Sequence, residues 1–543
     1  MRVVPKLPRR PEARAFSVET LLQLVQDGKL RVPEFQRPQR WRSTHVLSLF
    51  DSVWRGFPIG EFLFSKGQAP QRLLRFGAVE VQAPEVPDAY FIVDGQQRMT
   101  ALAGALLHPD LRPRGDIHAI WFDLEQERFE RLARAEAPLH WVPLNVVADS
   151  FKLLGWLNAW SMQRERPDLV QRALALGKAL REYQAPAYIV DGASEAALRL
   201  IFRRVNTAGV AMREEEVFEA LNGTHGRPLA TACARLGELG FGPIRDADFL
   251  DALKSVEGMD PRQRFRDSET DLGIEAGAVE RTETALRRAI AFLIGVAGIP
   301  HVQLLPYRLP LRLLARFFHL HPEPGPRVLG LLVHWIWRGA LSTEHSNDGD
   351  VIVGELQGHI GDDPDAAVTA LLGTVSRALK LPSITDAWNG RAARTRLCAL
   401  AMLHRGPRDP DTGEPLTLEV LQDLFEERDE IGRVFQTLRP SREGAEMSAV
   451  AHRFLVRDEA QVGRLLADQV LFPASEDVLA SHGLGAEAVA AYVAGDMDAF
   501  VARRAAVFDP WMHRFFRERS APNDSDRPAI AAIVARVKNG TGA

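Results

Sequence analysis

The stretch that most constrains the fold is residues 90–98, YFIVDGQQR, which passes from an apolar segment through a polar turn into a helix. Residues 91–93 are typical of a buried strand end, and Gly95 allows a sharp turn. Apolar residues then recur at the spacing of one helix face, at Met99, Leu102 and Leu106. The sequence therefore predicts a strand, a glycine turn and a helix start in direct succession.

A junction of this kind can bind an anion. The first backbone N–H groups of a helix have no acceptor within the helix, and they point outward at its positive end. Arg98 adds a planar cation whose geometry suits phosphate oxygens. An ordinary strand-to-helix turn with a surface arginine fits the local pattern equally well, so both interpretations stay open at this point.

Length and charge limit the classes of protein that fit. A chain of 543 residues is too long for one compact core, and we expect about two to four domains. The formal net charge of −4 argues against a protein that simply coats DNA, although local basic faces remain compatible with nucleic acid. Cys233 and Cys398 are the two cysteines, which excludes a disulfide framework and a thiolate-only zinc finger and indicates a reducing, cytoplasmic location.

The chain gives no sign of a membrane segment. Residues 1–14 carry several arginines and prolines without an apolar core, so we predict a short basic arm rather than a signal peptide or anchor. The longest apolar runs, residues 289–299 and 329–337, are too short to span a bilayer. They are predicted to be buried helices, and no membrane partner is expected.

The periodicity changes along the chain. Strand-like segments at residues 62–64, 73–76, 91–93, 119–124 and 141–144 alternate irregularly with helices, and loops are expected at residues 66–71 and in the Pro-rich stretch before residue 90. From Ser194 onward the 3.6-residue period dominates. Charged turn residues around 405–415 indicate a further boundary. The predicted organisation is an arm (1–14), an α+β domain (15–225), a helical domain (226–404) and a second helical domain (405–543).

Four motifs in order resemble one known family. They are VPEFQRPQRW at residues 32–41, DSVWRGFPIG at 51–60, VDGQQR at 93–98 and FRRVNTAG at 202–209. Together they resemble the ParB/sulfiredoxin-like N-terminal domain of GmrSD-type, modification-dependent restriction proteins. Each motif alone is a weak signal, whereas four in the correct order over roughly the first 225 residues are specific.

The resemblance implies a module that binds and hydrolyses a nucleoside triphosphate, GTP or CTP, with Mg²⁺, in a system that attacks modified foreign DNA. On this interpretation Asp94 holds Mg²⁺ or a water molecule, Gln96 or Gln97 orients the attacking water, and Arg98 neutralises the charge on the transferred phosphoryl group. The remaining nucleotide contacts would come from the residues Gln36, Arg37, Gly95 and Asn206.

Each of these residues also has a purely structural interpretation. Asp94 can cap the helix, the glutamines can satisfy turn backbone, and Arg37 can pair with Asp51 or Glu34. Asn206 can bond nearby backbone at a turn. A non-catalytic module that binds DNA or a partner, with a vestigial nucleotide site, is therefore the first alternative.

The C-terminal region resembles the His-Asn-His nuclease of many relatives without its chemistry. The corresponding stretches are DEIGRVFQ at residues 429–436, SAVAHRFL at 448–455, LASHG at 479–483 and FVARR at 500–504. The first contains no histidine, and Ile431 or Gly432 cannot replace a general base or metal ligand. We therefore predict a degenerate nuclease domain in which His452 and His482 are packed or surface imidazoles.

A partner chain that cleaves DNA would fit this loss of chemistry. An active endonuclease with an unrecognised site is the second alternative. The sequence contains no Walker-type loop, HExxH or Gly-x-Ser-x-Gly motif, so P-loop, zinc-protease and hydrolase-elbow chemistry are not supported.

Overall fold

The computed structural model of the chain describes residues 7–32, 41–109, 116–132, 137–193, 197–198, 201, 213–222, 228–264, 277–428, 430–438, 448–466, 475–524 and 526. The chain divides into two compact units, residues 1–227 and 228–543. The first unit mixes helices and sheets, and the second is mostly helical. The predicted α+β region followed by a helical remainder is thus confirmed, whereas the likeness to the ParB/sulfiredoxin fold and the boundary between residues 404 and 405 stay predictions.

The elements of the first unit follow in chain order. Its strands are β1 (Glu12–Ser17), β2 (Leu30–Arg31), β3 (Phe62–Ala69), β4 (Arg72–Phe76), β5 (Val79–Ala83), β6 (Val86–Asp94), β7 (Ile120–Asp123), β8 (Arg128–Arg131), β9 (Trp141–Pro143) and β10 (Gln184–Val190). Its helices are α1 (Val18–Gln26), α2 (Ser43–Trp54), α3 (Gln96–Leu106), α4 (Leu144–Val147), α5 (Ser150–Ala159), α6 (Pro167–Glu182) and α7 (Glu214–Asn222).

A five-stranded sheet with the order β1-β10-β3-β6-β2 organises this unit. Strand β6 runs antiparallel to β3 and parallel to β2, while β10 runs parallel to β3 and antiparallel to β1. Among the described residues of this unit, a β4–β5 hairpin and a three-stranded sheet, β8-β7-β9, form the other sheets. Because β6 has a neighbour on each side, the position of its end is well fixed within the sheet.

Local sequence signals explain where two of the helices begin and end. The Ser17 hydroxyl accepts a hydrogen bond from the Thr20 N–H at 3.1 Å and so caps α1, a role for which serine is well suited. Val18, Leu21, Leu22 and Val25 form the buried face of that helix. Helix α2 is followed by Gly56 in the left-handed region, with φ 71°, which is typical of a glycine just after a helix end.

The loops expected before residue 90 are wrong in part. Strand β3 continues through residues 66–69, and the Pro-rich stretch contains β5 and the first half of β6. The reason is a non-local pairing, because Lys66 lies opposite Tyr90 and Gly67 opposite Ala89. Strand β1 also begins at Glu12, within the residues assigned to the basic arm, and pairs with β10 at the far end of the unit.

In its described residues, the second unit consists of helices and a short two-stranded sheet. Its helices are α8 (Pro228–Gly237), α9 (Asp246–Val256), α10 (Ala278–Phe292), α11 (Leu309–Leu320), α12 (Pro326–Ser342), α13 (Asp350–Gly358), α14 (Pro364–Gly373), α15 (Ala393–His404), α16 (Leu418–Arg428), α17 (Ile431–Val434), α18 (Glu459–Leu466), α19 (Glu476–Ser481), α20 (Ala486–Val493) and α21 (Met497–Ser520). The strands β11 (Phe435–Thr437) and β12 (Arg453–Leu455) pair antiparallel.

The apolar runs of this unit lie in its core, as predicted. Trp335 and Trp337 of α12 are fully buried, and α10 continues into a π-helical turn over Leu293–Ala297. Both cysteines are buried, and neither forms a disulfide. Within the part of the chain that the structure describes, no helix combines the length and the apolar character needed to cross a bilayer.

Candidate functional site

The junction of β6 and α3 has the predicted strand, turn and helix. Gly95 lies between them with φ 95° and ψ 9°, a conformation that L residues rarely adopt. A β carbon at this position would lie 2.4 Å from Cδ1 of Phe62, which is buried on the neighbouring strand β3. Glycine is therefore required both by the backbone angles and by the close approach of the aromatic ring.

An ion pair closes this junction. Nη2 of Arg98 donates to Oδ2 of Asp94 at 2.9 Å, and Nη1 of Arg98 donates to the Ile59 carbonyl oxygen at 2.9 Å. The guanidinium carbon lies 5.1 Å from the centroid of the Phe62 ring. Arg98 and Asp94 side chains remain 16% and 25% exposed, so the pair is partly open to solvent. Among the described residues, the second carboxylate oxygen of Asp94 accepts no hydrogen bond.

The two glutamines of the junction differ in environment. Gln97 is buried, and its side-chain oxygen accepts a hydrogen bond from the Trp41 N–H at 3.3 Å. This hydrogen bond links the junction to Trp41, the last residue of the motif at residues 32–41. Gln96, the first residue of α3, is only half-buried. Of the two amides, Gln96 is the one better placed to meet a bound molecule.

The turn at residues 57–60, to which the sequence patterns assigned no role, packs against Arg98. Residues 57–60 precede β3, and Gly60 adopts φ 83°. A β carbon on Gly60 would lie 2.4 Å from Nη1 of Arg98, so the guanidinium packs directly on the backbone. The Tyr183 hydroxyl accepts a hydrogen bond from the Ile59 N–H at 3.2 Å and donates one to the Phe57 carbonyl oxygen at 2.8 Å. These contacts join residues more than a hundred positions apart, which no local pattern predicts.

Comparison with known proteins identifies the domain that carries this site. Residues 18–222 match the model of the N-terminal domain of the GmrSD restriction endonuclease. The N-terminal domain of this chain belongs to the GmrSD family. The match begins at the first residue of α1 and ends at the last residue of α7. No curated protein matches the chain.

The matched domain is that of a restriction endonuclease, which suggests a component of a restriction or anti-phage system. The resemblance expected from the four motifs is thus confirmed for the α+β domain. The match ends before the second unit, so it carries no information about the C-terminal residues.

The predicted site residues of the GmrSD-type domain fall into two groups. Asp94, Gly95, Gln96, Gln97 and Arg98 lie together at the β6–α3 junction. The others, Gln36, Arg37 and Asn206, lie outside the described residues, and their roles stay predictions. The suggested partner of Arg37, Asp51, already accepts hydrogen bonds from Arg55 at 2.8 and 2.9 Å.

His452 and His482, the two histidines singled out in the C-terminal region, are packed in the second unit. His452 is 4% exposed, burial lowers its pKa to about 4, and its ring lies nearly parallel to that of Phe500. His482 donates from Nε2 to the Arg408 carbonyl oxygen at 2.8 Å, and burial lowers its pKa to about 4. These environments keep both imidazoles neutral near pH 7.

Arg504 lies between these two histidines and is fully buried. Its guanidinium donates to the backbone carbonyl oxygens of Ala451, Arg453 and His482. Within the described residues, no cluster of three or more histidine, cysteine, aspartate or glutamate side chains is arranged to hold a metal ion. That the region is a degenerate nuclease stays a prediction.

Proposed function

We propose that the GmrSD-type domain binds and hydrolyses a nucleoside triphosphate at the Asp94–Arg98 junction, and that this turnover controls a system acting on foreign DNA. One observation carries the proposal. A carboxylate and a guanidinium are paired at 2.9 Å at the N-terminal end of a helix, and one carboxylate oxygen has no partner among the described residues. Family membership of the domain supports the same interpretation.

The phosphates would bind at the start of α3. The first helical hydrogen bond there runs from the Met99 N–H to the Gly95 carbonyl oxygen at 2.9 Å, so the preceding amides are not part of the helical ladder. The positive end of the helix dipole favours an anion at this place. Since Gly95 has no side chain, phosphate oxygens can approach the backbone closely.

The residues present fit a magnesium ion. Mg²⁺ in nucleotide sites is typically held by one or two carboxylates together with the phosphates, and the open oxygen of Asp94 offers one such ligand. When bound, Mg²⁺ supplies positive charge to the phosphate oxygens. Arg98 orients the Asp94 carboxylate through Nη2 and places a second positive charge beside the phosphates.

The remaining residues of the proposal orient water and the nucleotide. Gln96, at the open start of α3, is proposed to align the attacking water, as its amide can both donate and accept a hydrogen bond. Gln97 anchors Trp41 and so positions the end of the segment that contains Gln36 and Arg37. With Asn206, these two residues are proposed as further nucleotide contacts.

Phosphate release tests the proposal. Purified full-length protein is incubated with Mg²⁺ and GTP, CTP or ATP, and inorganic phosphate is measured over time. We expect release from at least one nucleotide, with GTP favoured, and its loss in Arg98→Ala. Arg75→Ala is the control, because Arg75 forms an exposed ion pair with Glu80 on the β4–β5 hairpin of the same unit. A wild-type protein that neither binds nor hydrolyses any of these nucleotides would contradict the proposal.

One observation favours a second function, a nucleotide-dependent switch without turnover. Two nitrogens of Arg98 already donate to Asp94 and Ile59, so the guanidinium is held in place before any ligand arrives. A protein that binds a nucleotide with micromolar or tighter affinity but releases no phosphate would select this alternative.

A further inference from the structure

A tyrosine outside all four sequence motifs holds the turn against which Arg98 packs. Tyr183 lies between α6 and β10, and its backbone is fixed there, since its carbonyl oxygen accepts a hydrogen bond from the Val18 N–H at 3.0 Å. Its hydroxyl reaches the 57–60 turn, where it both accepts from the Ile59 N–H and donates to the Phe57 carbonyl oxygen. One hydroxyl group thus fixes two peptide units of the turn.

Ile59 joins this tyrosine to the candidate site. Its N–H donates to the Tyr183 hydroxyl, and its carbonyl oxygen accepts from Nη1 of Arg98. The two bonds act on successive peptide units of the turn, so they are linked through the backbone geometry of Ile59. Nη2 of Arg98 then reaches Asp94. A continuous series of hydrogen bonds therefore runs from the Tyr183 hydroxyl to the carboxylate of Asp94.

Gly60 makes the arginine sensitive to the position of the turn. The space where its β carbon would lie is occupied by Nη1 of Arg98, so backbone and guanidinium are in direct contact. A displacement of the turn by a few tenths of an ångström therefore has to move the guanidinium too. The other face of Arg98 is limited by the ring of Phe62.

We propose that Tyr183 is a positioning residue of the nucleotide site, which acts by holding the 57–60 turn so that Arg98 presents its charge to the phosphates and aligns Asp94. The inference rests on the proposed function. Tyr183 does not contact the nucleotide in this account, and its effect passes through Ile59 and Arg98. Removing its hydroxyl is expected to slow the chemical step more than it weakens nucleotide binding.

The test compares Tyr183→Phe with wild type in steady-state phosphate release. Loss of the two hydrogen bonds to the turn should lower kcat about tenfold, while KM stays within about twofold. Tyr188→Phe is the matched control, because Tyr188 lies on β10 five residues away, is 42% exposed, and its hydroxyl makes no hydrogen bond among the described residues. It should behave like wild type. A purely structural role of Tyr183 would lower the melting temperature without changing kcat of the folded protein.

A double-mutant cycle tests whether the effect passes through Arg98. Arg98→Lys keeps the positive charge, but its single nitrogen cannot reproduce the paired donation to Ile59 and Asp94. In this background Tyr183→Phe should cause little further loss of kcat. An equal loss in both backgrounds would overturn the inference, as would wild-type kcat in Tyr183→Phe.

These two results leave the proposed function intact, because wild-type turnover is present in both. A wild-type protein that neither binds nor hydrolyses a nucleotide would overturn both proposals together.

Discussion

Gly95→Ala tests the geometry of the β6–α3 junction most sharply, and its cost can be estimated from two separate terms. An L residue in the left-handed region loses about 1–2 kcal/mol. The new β carbon would also lie 2.4 and 2.8 Å from two ring atoms of Phe62, which is completely buried and stacked on Phe64. Overpacking of this kind costs about 1–3 kcal/mol, so the free energy of unfolding should fall by about 2–5 kcal/mol in total.

Gly56→Ala separates the two terms. Gly56 also has a positive φ, 71°, but no atom outside its immediate neighbours lies within 4 Å of a β carbon placed there. This variant should therefore lose only the backbone term of about 1–2 kcal/mol.

Calorimetric melting of the full-length chain measures both variants. The transition of the first unit should shift downward by about 5–15 °C for Gly95→Ala, and by a smaller amount for Gly56→Ala. Equal shifts in the two variants would refute the close approach of Gly95 to Phe62, and with it the described geometry of the junction.

Two further predictions follow from single contacts. Gly60→Ala places its β carbon against the end of the Arg98 side chain, which can move aside. Nucleotide turnover should therefore fall at least about tenfold, while the free energy of unfolding should fall only by the backbone term of about 1–2 kcal/mol. Unchanged phosphate release would contradict this prediction. Burial lowers the pKa of His345 to about 3, whereas an unfolded histidine titrates near 6.5, so the unfolded state binds the extra proton as pH falls. The contribution of neutral His345 to the free energy of unfolding is therefore complete above pH 6.5 and is lost toward pH 3. At pH 5 the free energy of unfolding should have decreased by about 2 kcal/mol relative to neutral pH. Urea titrations at pH 5 and 7.5 measure this decrease, which should be smaller in His345→Gln.

Local sequence patterns were sufficient to predict the strand, the turn and the helix that meet at the β6–α3 junction. Three patterns carry this prediction: the apolar run before Asp94, the glycine after it, and the helix-face spacing from Met99 onward. Each depends only on residues close together in the sequence, so no distant contact is needed to predict it. The glycine stop of α2 has the same local origin. Family membership of residues 18–222 likewise followed from short motifs in a fixed order.

The parts that could not be predicted depend on residues distant in the sequence. Strand β1 pairs with β10, which follows it in the sequence by more than 160 residues. The hydrogen bonds from Arg98 to Ile59 and from Tyr183 to the 57–60 turn likewise join separate segments. Periodicity reports which face of an element is apolar, but it does not report which backbone carbonyl a buried guanidinium will reach.

The central claim is that Asp94 takes part in nucleotide hydrolysis, and phosphate release by Asp94→Asn tests it most directly. Asparagine keeps the size of the side chain and an oxygen that can accept from Arg98, but it removes the negative charge available to a metal ion. We expect wild-type protein to release phosphate from Mg²⁺–GTP or another triphosphate, and Asp94→Asn to do so about a hundredfold more slowly or not at all. Equal rates for the two proteins would contradict it.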